Sequence, residues 1–192
     1  VIARKTNDPF CVLVSCIVSL RTQDKVTDQA STHLFQQART PQALSGLRPD
    51  QVEAAIYPAS FYRNKARQLI SLSKLLLEKY GGKVPSTLPE LLDLPGVGRK
   101  TANLVLTVAF KKPGICVDTH VHRISNRIGY IRTKTPDESE MALRATLPKK
   151  HWITYNDILV PYGQFICRPI SPFCSRCKIS DYCARVGVKT SR

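Results

Sequence analysis

A five-residue stretch, LPGVG at Leu94–Gly98, limits the possible folds of this chain more than any other segment. It separates two segments with helical spacing of apolar residues, one ending before Pro95 and the other beginning at Arg99. Glycines such as Gly96 and Gly98 can adopt positive φ and bring bare backbone close to a ligand. The sequence therefore predicts a tight hairpin between two helices in the middle of the chain.

Helical spacing continues along almost the whole chain, and no convincing alternation of apolar and polar residues indicates a strand. One predicted helix opens at Pro9 and has its apolar positions up to Val18, a long one follows the cap at Asn64 and runs through Tyr80, and a short one after Thr87 ends before Pro95. The other predicted helices are 25–37, 51–56, 99–111, 118–129, 136–146 and 151–166. Asp24, Asp50 and Asn64 are predicted to be N-caps, and Gly81 is predicted to end the helix 64–80. The expected fold class is all-α, with many short helices joined by short loops.

The charge balance indicates a polyanionic partner. The chain has 29 Lys and Arg against 14 Asp and Glu, a net charge of +15. Such an excess favours nucleic acid, although a solvated cationic surface is the alternative. The cations are scattered, which makes membrane-surface binding the weaker option. No apolar run approaches the ~20 residues that a membrane-spanning helix needs.

Arg99 and Lys100 lie where a helix disfavours cations, because a helix N-terminus carries partial positive charge. A phosphate bound to the first N–H groups of the helix would offset their placement, whereas the alternative is a plain structural turn. The same surroundings are expected to lower the pKa of Lys100. A neutral amine is a nucleophile that can form a Schiff base, and a further phosphate contact is the alternative role.

The segment CVDTHVHR follows, and its Asp118 lies eighteen residues after Lys100. A carboxylate there can cap the next helix, which is the ordinary interpretation. Paired with Lys100, it can instead deprotonate the amine or stabilise a cationic sugar as the base leaves. His120 and His122 point to different helix faces, so their spacing does not suit a metal site.

The chain has seven cysteines, an odd number that argues against a disulfide framework. Three of them have apolar neighbours and are expected to be core residues: Cys11, Cys16 and Cys116. The other four form the pattern C-x6-C-x2-C-x5-C at Cys167, Cys174, Cys177 and Cys183. Their irregular single-loop spacing favours an iron–sulfur cluster, with zinc as the alternative.

LPGVGRKTAN, VDTH and the cysteine pattern together resemble the endonuclease III family of DNA glycosylases, in the same order and at the same distances along essentially the whole chain. The resemblance implies a bifunctional base excision repair enzyme that removes oxidised pyrimidines, such as thymine glycol, and cleaves the abasic strand by β-elimination. Lys100 would attack C1′ of the damaged nucleotide and form the Schiff base. Asp118 would help to activate Lys100 and stabilise the transition state.

The resemblance also implies a set of DNA-binding residues and a cofactor. The DNA-binding residues would be Arg21, Gly96, Gly98, Arg99, His120 and Arg168. The four C-terminal cysteines would hold a 4Fe–4S cluster that organises a basic loop. This loop has only Arg168 between its first two cysteines, so Arg176 and Lys178 are expected to compensate. Arg21 stands where the family usually has the glutamine that fills the gap left by the flipped base, and an arginine can also pair with the orphan base.

The fold implied is the two-domain helix–hairpin–helix DNA glycosylase fold, with a six-helix domain at 1–112, an iron–sulfur cluster domain at 113–192 and a DNA cleft between them. The usual N-terminal helix of the cluster domain is expected to be missing. The expected partner is damaged double-stranded DNA, without a membrane, and the chain is expected to be a monomer. It would act in the bacterial or archaeal cytoplasm at the nucleoid, or in a eukaryotic nucleus or mitochondrion.

Two other functions remain open at this point. A non-catalytic helix–hairpin–helix protein with an iron–sulfur cluster would bind duplex DNA with a steep salt dependence but form no covalent adduct. A mismatch-specific glycosylase would share the hairpin and the cysteines. Lys100 argues against the mismatch enzymes, because the adenine-mismatch relatives lack a lysine there and the thymine-mismatch relatives usually have a tyrosine.

Overall fold

The computed structural model describes residues 6–192, which form ten α-helices, several short 3-10 turns and no strand. The helices are α1 (Pro9–Ser19), α2 (Asp24–Gln37), α3 (Pro41–Ser45), α4 (Pro49–Ile56), α5 (Tyr62–Tyr80), α6 (Leu88–Leu92), α7 (Arg99–Val108), α8 (Thr119–Arg127), α9 (Pro136–Thr146) and α10 (Trp152–Phe165). The all-α prediction is confirmed. The chain divides into two compact units, with the boundary between Lys112 and Pro113.

The first unit is built around α1. Every residue from Phe10 to Val18 is buried, so this helix is apolar on all sides. Helices α2, α5 and α7 pack against it. Asp8 caps its start, where the carboxylate accepts a hydrogen bond of 2.8 Å from the backbone N–H of Cys11. Cys11 and Cys16 are buried core residues, as expected.

The described part of the first unit has seven helices, whereas the sequence predicts six. The additional helix is α3, a single turn of five residues. Thr40 caps it by accepting a hydrogen bond of 3.2 Å from the backbone N–H of Ala43, and Pro41 occupies its first position. A Thr-Pro pair is a local start signal, but five residues are too few to show a helical period.

Three predicted N-caps are wrong by a few residues. Asp24, Asp50 and Asn64 all lie inside the first turn of α2, α4 and α5 rather than before it. In α4, Pro49 occupies the first helical position and Oε1 of Gln51 accepts a hydrogen bond of 2.9 Å from the backbone N–H of Arg48, so the helix begins before Asp50. The predicted end of α5 is confirmed, because Gly81 has φ +58° and terminates the helix in the left-handed conformation.

The second unit has a smaller core of its own, formed where α10 packs on α8. Ile115, Val121, Ile124 and Leu143 are fully buried in it. Trp152 is buried as well. After Phe165 the chain forms a loop with short 3-10 turns that contains the four clustered cysteines. None of the described helices in either unit is both long enough and apolar enough to span a bilayer.

Candidate active site

The hairpin leads directly into α7, and its two glycines have different roles. Gly96 has φ +74°, so the backbone favours glycine there. A Cβ at this position would lie 1.1 Å from Nε2 of Gln68, and the end of that flexible side chain would have to move. Gly98 was expected to share this conformation, but its φ is −90° and it forms the N-cap of α7. A Cβ on Gly98 would meet no atom within 4 Å. Nothing in the described residues therefore requires glycine at position 98. The space beside Gly98, in front of α7, is empty of described protein atoms.

The N-terminus of α7 brings backbone N–H donors and cationic side chains together. The first N–H groups of a helix have no acceptor within the helix, and Gly98 has no side chain to cap them. Arg99 is half-buried at the first position of the helix, and Lys100 is exposed at the second. The donors and the side-chain charges all favour an anion at this end of the helix.

Asp118 is the N-cap of α8, as predicted. Its Oδ1 atom accepts two hydrogen bonds of 2.9 Å, from the backbone N–H groups of His120 and Val121. These bonds hold the carboxylate in one orientation at the start of the helix. Asp118 is only half-buried, so the folded unit presents an oriented carboxylate that solvent and ligands can reach.

Arg123 determines which nitrogen of His120 carries a proton. Its Nη2 atom lies 3.0 Å from Nδ1 of His120 and 2.9 Å from the carbonyl oxygen of Cys167. A guanidinium group can only donate, so Nδ1 accepts and the hydrogen of the neutral ring resides on Nε2. His120 therefore offers Nε2–H as a hydrogen-bond donor. Burial lowers the pKa of Arg123 from its ordinary value, although an arginine remains charged.

Gly163 on α10 makes room for this pair. A Cβ at position 163 would lie 2.4 Å from Nδ1 of His120 and 2.9 Å from Nη2 of Arg123. The carbonyl oxygen of Gly163 also accepts a hydrogen bond of 3.1 Å from Nη2 of Arg123. Because Gly163 has no side chain, α10 leaves room for the His120 ring beside the guanidinium group of Arg123.

The four C-terminal cysteines line one cavity in the second unit: Cys167, Cys174, Cys177 and Cys183. All four are free thiols. Within residues 6–192, no three Cys, His, Asp or Glu side chains are arranged to hold a single metal ion. A zinc ion would draw its sulfur ligands to about 2.3 Å from one point. Four cysteine sulfurs that line a single cavity are the ligand set of a 4Fe–4S cluster, with one cysteine for each iron.

Positive charge and donors surround these thiols. Arg127 is buried, and its Nη1 atom donates hydrogen bonds to Sγ of Cys167 (3.4 Å) and to the carbonyl oxygen of Arg168 (2.7 Å). The hydroxyl oxygen of Tyr162 lies 2.8 Å from Sγ of Cys177. Thiolate ligands carry negative charge, and a buried guanidinium group beside them offsets that charge. These two contacts are therefore compatible with thiolates at Cys167 and Cys177.

Three arginine side chains lie close to the ring of Phe173, a residue of the cysteine loop. The guanidinium carbons of Arg168, Arg176 and Arg192 lie 5.1, 5.6 and 4.6 Å from the centre of its ring. Arg168 and Arg176 were identified from the sequence, but Arg192 was not, because it is distant in sequence from the loop. We refer to Phe173 and these three residues as the arginine cluster. Its exposed cations form a surface suited to phosphates.

Arg21 follows α1 in a left-handed conformation, with φ +55°. Its side chain is exposed, and its guanidinium carbon lies 5.8 Å from the ring centre of Phe61. Phe61 also has positive φ, +58°, and is 59% exposed. An exposed aromatic ring beside an arginine is a surface on which bases can stack. Phe61 was not among the predicted DNA-binding residues, because the sequence shows it only as an aromatic residue just before the long helix α5.

Comparison with known proteins matches this chain to DNA repair proteins. Residues 14–149 match the family described as HhH-GPD superfamily base excision DNA repair protein. Endonuclease III from Thermotoga maritima is 50% identical over 179 residues, which cover 93% of this chain and 84% of that protein. Endonuclease III homolog 1, chloroplastic, from Arabidopsis thaliana is 40% identical over 195 residues. This alignment covers 97% of this chain but only 52% of the plant protein.

Solved structures give the same result. A structure described as a trapped endonuclease III–DNA covalent intermediate, an estranged-adenine complex, superposes with a TM-score of 0.87 at 37% identity. The match covers 93% of this chain and 84% of that one. A thermostable thymine-DNA glycosylase superposes with a TM-score of 0.86 at 26% identity, covering 95% of this chain and 86% of that one.

The helical fold, the glycine hairpin and the cysteine loop thus define a DNA glycosylase of the helix–hairpin–helix class. The chain belongs to the endonuclease III family of the HhH-GPD superfamily of base excision DNA repair proteins. It is accordingly a DNA glycosylase with lyase activity at abasic sites. A 4Fe–4S cluster is characteristic of this family.

Proposed function

We propose that this enzyme removes oxidised pyrimidines, such as thymine glycol, from double-stranded DNA and cleaves the abasic strand through a Schiff base on Lys100, acting as a monomer. The observation that carries this proposal is the position of Lys100, an exposed residue at the second position of α7, directly after the glycine hairpin. The similarity to a trapped covalent endonuclease III–DNA intermediate supports a covalent route.

The reaction begins when the neutral amine of Lys100 attacks C1′ of the damaged nucleotide. The new N–C bond forms as the glycosidic bond breaks, and the base leaves with the bonding electron pair. The sugar ring then opens to give the Schiff base. Loss of a proton from C2′ drives β-elimination, which breaks the C3′–O bond and releases the downstream strand with its phosphate.

Asp118 supplies the negative charge for the first step. Its carboxylate can take the proton of the lysine ammonium and release it to solvent. Ionised again, it stabilises positive charge on the sugar as the base departs. The two backbone N–H groups that bind Oδ1 keep the carboxylate oriented, so its second oxygen is the one that we assign to this task.

DNA contacts in this proposal come from both units. The N-terminus of α7, with Gly96, Gly98 and Arg99, binds phosphates of the damaged strand. Nε2–H of His120 donates a hydrogen bond at the abasic nucleotide, and Arg168 with its arginine cluster binds further phosphates. The target base must leave the stack before Lys100 can reach C1′.

Arg21 and Phe61 occupy the gap that the flipped base leaves. An apolar ring can wedge between base steps, and a guanidinium group in the gap can donate hydrogen bonds to acceptors on the Watson–Crick edge of the orphan base. The enzyme should therefore prefer some bases opposite the lesion. We expect Arg21→Gln to change this preference more than it changes turnover.

We also propose that Cys167, Cys174, Cys177 and Cys183 hold a 4Fe–4S cluster. When bound, the cluster crosslinks the loop and thereby fixes the arginine cluster that projects from it. The purified protein should be yellow-brown and contain about four irons per chain. Colourless protein loaded with zinc would overturn this assignment.

Borohydride trapping tests the catalytic proposal. Borohydride reduces a Schiff base to a stable amine, so the wild-type protein should become covalently linked to duplexes containing thymine glycol or an abasic site. Lys100→Ala should abolish the adduct. Lys74→Ala is the matched control, because Lys74 is another exposed lysine in the first unit and its adduct should persist.

Two outcomes would contradict the proposal. Wild-type protein that binds these duplexes but yields no adduct would exclude the lysine route. Excision of thymine opposite guanine in preference to thymine glycol would favour a mismatch enzyme, for which the similarity to the thymine-DNA glycosylase structure is the supporting observation.

A further inference from the structure

Lys65, on α5, is a buried cation that the proposed chemistry does not use. Only 5% of this residue is exposed, and burial lowers the pKa of its amine to about 8. Lysines are almost never buried unless hydrogen bonds and charge compensate them. Its presence in the first unit therefore needs a physical explanation.

The ammonium group of Lys65 binds the end of α1. Its Nζ atom donates hydrogen bonds to the carbonyl oxygens of Val18 (2.7 Å) and Leu20 (2.6 Å) and to the hydroxyl oxygen of Thr22 (3.0 Å). An ammonium group has three N–H donors, so all three are used. The last carbonyl groups of a helix have no partners within it, and a cation is favoured there. Lys65 thus caps α1 from another helix.

The turn that Lys65 holds contains Arg21. The backbone of Arg21 is in the left-handed region, φ +55°, which residues with side chains rarely adopt and which persists only when surrounding contacts impose it. The flanking residues are Leu20 and Thr22, and Lys65 binds both. The hydroxyl oxygen of Thr22 also accepts a hydrogen bond of 3.1 Å from the backbone N–H of Ser60, next to Phe61.

These contacts join two segments that meet at the surface. One segment carries Arg21 and the other carries Phe61, and the guanidinium group of Arg21 lies against the ring of Phe61. Lys65 is too buried to touch DNA itself. Its effect on the reaction must therefore pass through the turn that it binds.

We propose that Lys65 is a positioning residue that holds Leu20–Thr22 in the conformation that presents Arg21 beside Phe61, and so determines how the enzyme responds to the base opposite the lesion. This inference rests on the proposed function, because it takes Arg21 as the residue that enters the gap left by the flipped base. The loss of Lys65 should allow Arg21 to leave its left-handed conformation.

A double-mutant cycle tests this role. Lys65→Met keeps the length of the side chain but removes the charge and the donors, and kcat/KM is measured on abasic duplexes with each of the four opposite bases. In the wild-type background we expect a loss of about tenfold at the preferred opposite base and smaller differences among the four bases. In an Arg21→Ala background the same substitution should change kcat/KM by less than about twofold, because coupled residues are not additive.

Two further variants complete the design. Lys74→Met removes an exposed lysine from the same helix and should leave all four rates unchanged. Thr22→Val removes one acceptor of Lys65 at a half-buried position, so it should reproduce the direction of the effect. If Lys65→Met does not fold, the cycle is carried out with Thr22→Val instead.

The inference is overturned by equal losses in both backgrounds, which would show a general effect on the fold. It is also overturned if Lys65→Met has no effect in the wild-type background, or if Arg21→Ala itself changes no rate. Failure of the proposed function looks different, because wild-type protein would then form no borohydride adduct with any of the duplexes.

Discussion

At the scale of single residues, Asp118 serves both the fold and the proposed chemistry. Its Oδ1 atom caps α8, and the proposed mechanism uses its negative charge at the reacting sugar. Asparagine is as good an N-cap as aspartate but carries no charge. Asp118→Asn therefore separates the two roles. We expect its free energy of unfolding to remain within about 0.5 kcal/mol of the wild type and its glycosylase rate to fall by about 100-fold, the scale of one acid–base catalyst.

Chemical denaturation and single-turnover kinetics measure these two effects. Asp118→Ala is the matched control, because it loses the cap as well and should cost about 1 kcal/mol of stability in addition to activity. Equal activity in Asp118→Asn and the wild type would reduce Asp118 to a structural cap.

The residues that sequence analysis could identify are those with local signals. Asp118 follows an apolar run and precedes a helix, so its cap was predictable from neighbouring residues. Lys65 was not, because the groups it binds lie 43 to 47 residues earlier in the chain. Phe61 and Arg192 were missed for the same reason, since their importance depends on side chains that only the fold brings close.

At the scale of elements, the hairpin before α7 allows a paired test with glycines two positions apart. Gly98→Ala meets no steric obstacle in the described residues, so we expect it to cost no more than about 1 kcal/mol as an N-cap change while its methyl group obstructs a phosphate. Gly96→Ala has to accommodate φ +74° and displace Gln68, so it should destabilise the protein by about 1–2 kcal/mol.

Thermal unfolding and fluorescence anisotropy with a duplex containing a stable abasic analogue check both variants. Gly98→Ala should lose affinity out of proportion to its small loss of stability. If its affinity matches the wild type, the start of α7 does not approach a phosphate.

The longer helices were largely predictable, because each has enough turns to show an apolar period, whereas the five residues of α3 do not. The hairpin was predictable because its proline and glycines mark a break between two such periods. The conformation of Gly98 was not, since glycine is permissive and the surroundings choose its φ. The N-cap of α4 was misplaced because Pro49, rather than a residue after Asp50, takes the first helical position.

At the scale of the whole molecule, the net charge of +15 should make DNA binding strongly dependent on salt. The logarithm of the binding constant should fall linearly with the logarithm of the salt concentration, by about 0.9 for each phosphate neutralised. Replacing Arg168, Arg176 or Arg192 with alanine should each reduce that slope by about one.

Binding titrations at several salt concentrations give the slopes. Arg48→Ala is the control, because the guanidinium group of Arg48 is already paired with Asp50 at 2.8 Å and its loss should leave the slope unchanged. Equal slopes for the wild type and all three arginine variants would remove the arginine cluster from the DNA interface.

Gly163 restricts how this protein can be engineered for heat resistance. Replacing glycine with alanine inside a helix commonly raises the free energy of unfolding by about 0.5–1 kcal/mol, and Gly163 lies inside α10. At this position a methyl group would displace the imidazole of His120 and the guanidinium of Arg123. Alanine at position 163 would thus disturb the histidine that the proposed function places at the abasic nucleotide, so this glycine should be kept in a stabilised variant.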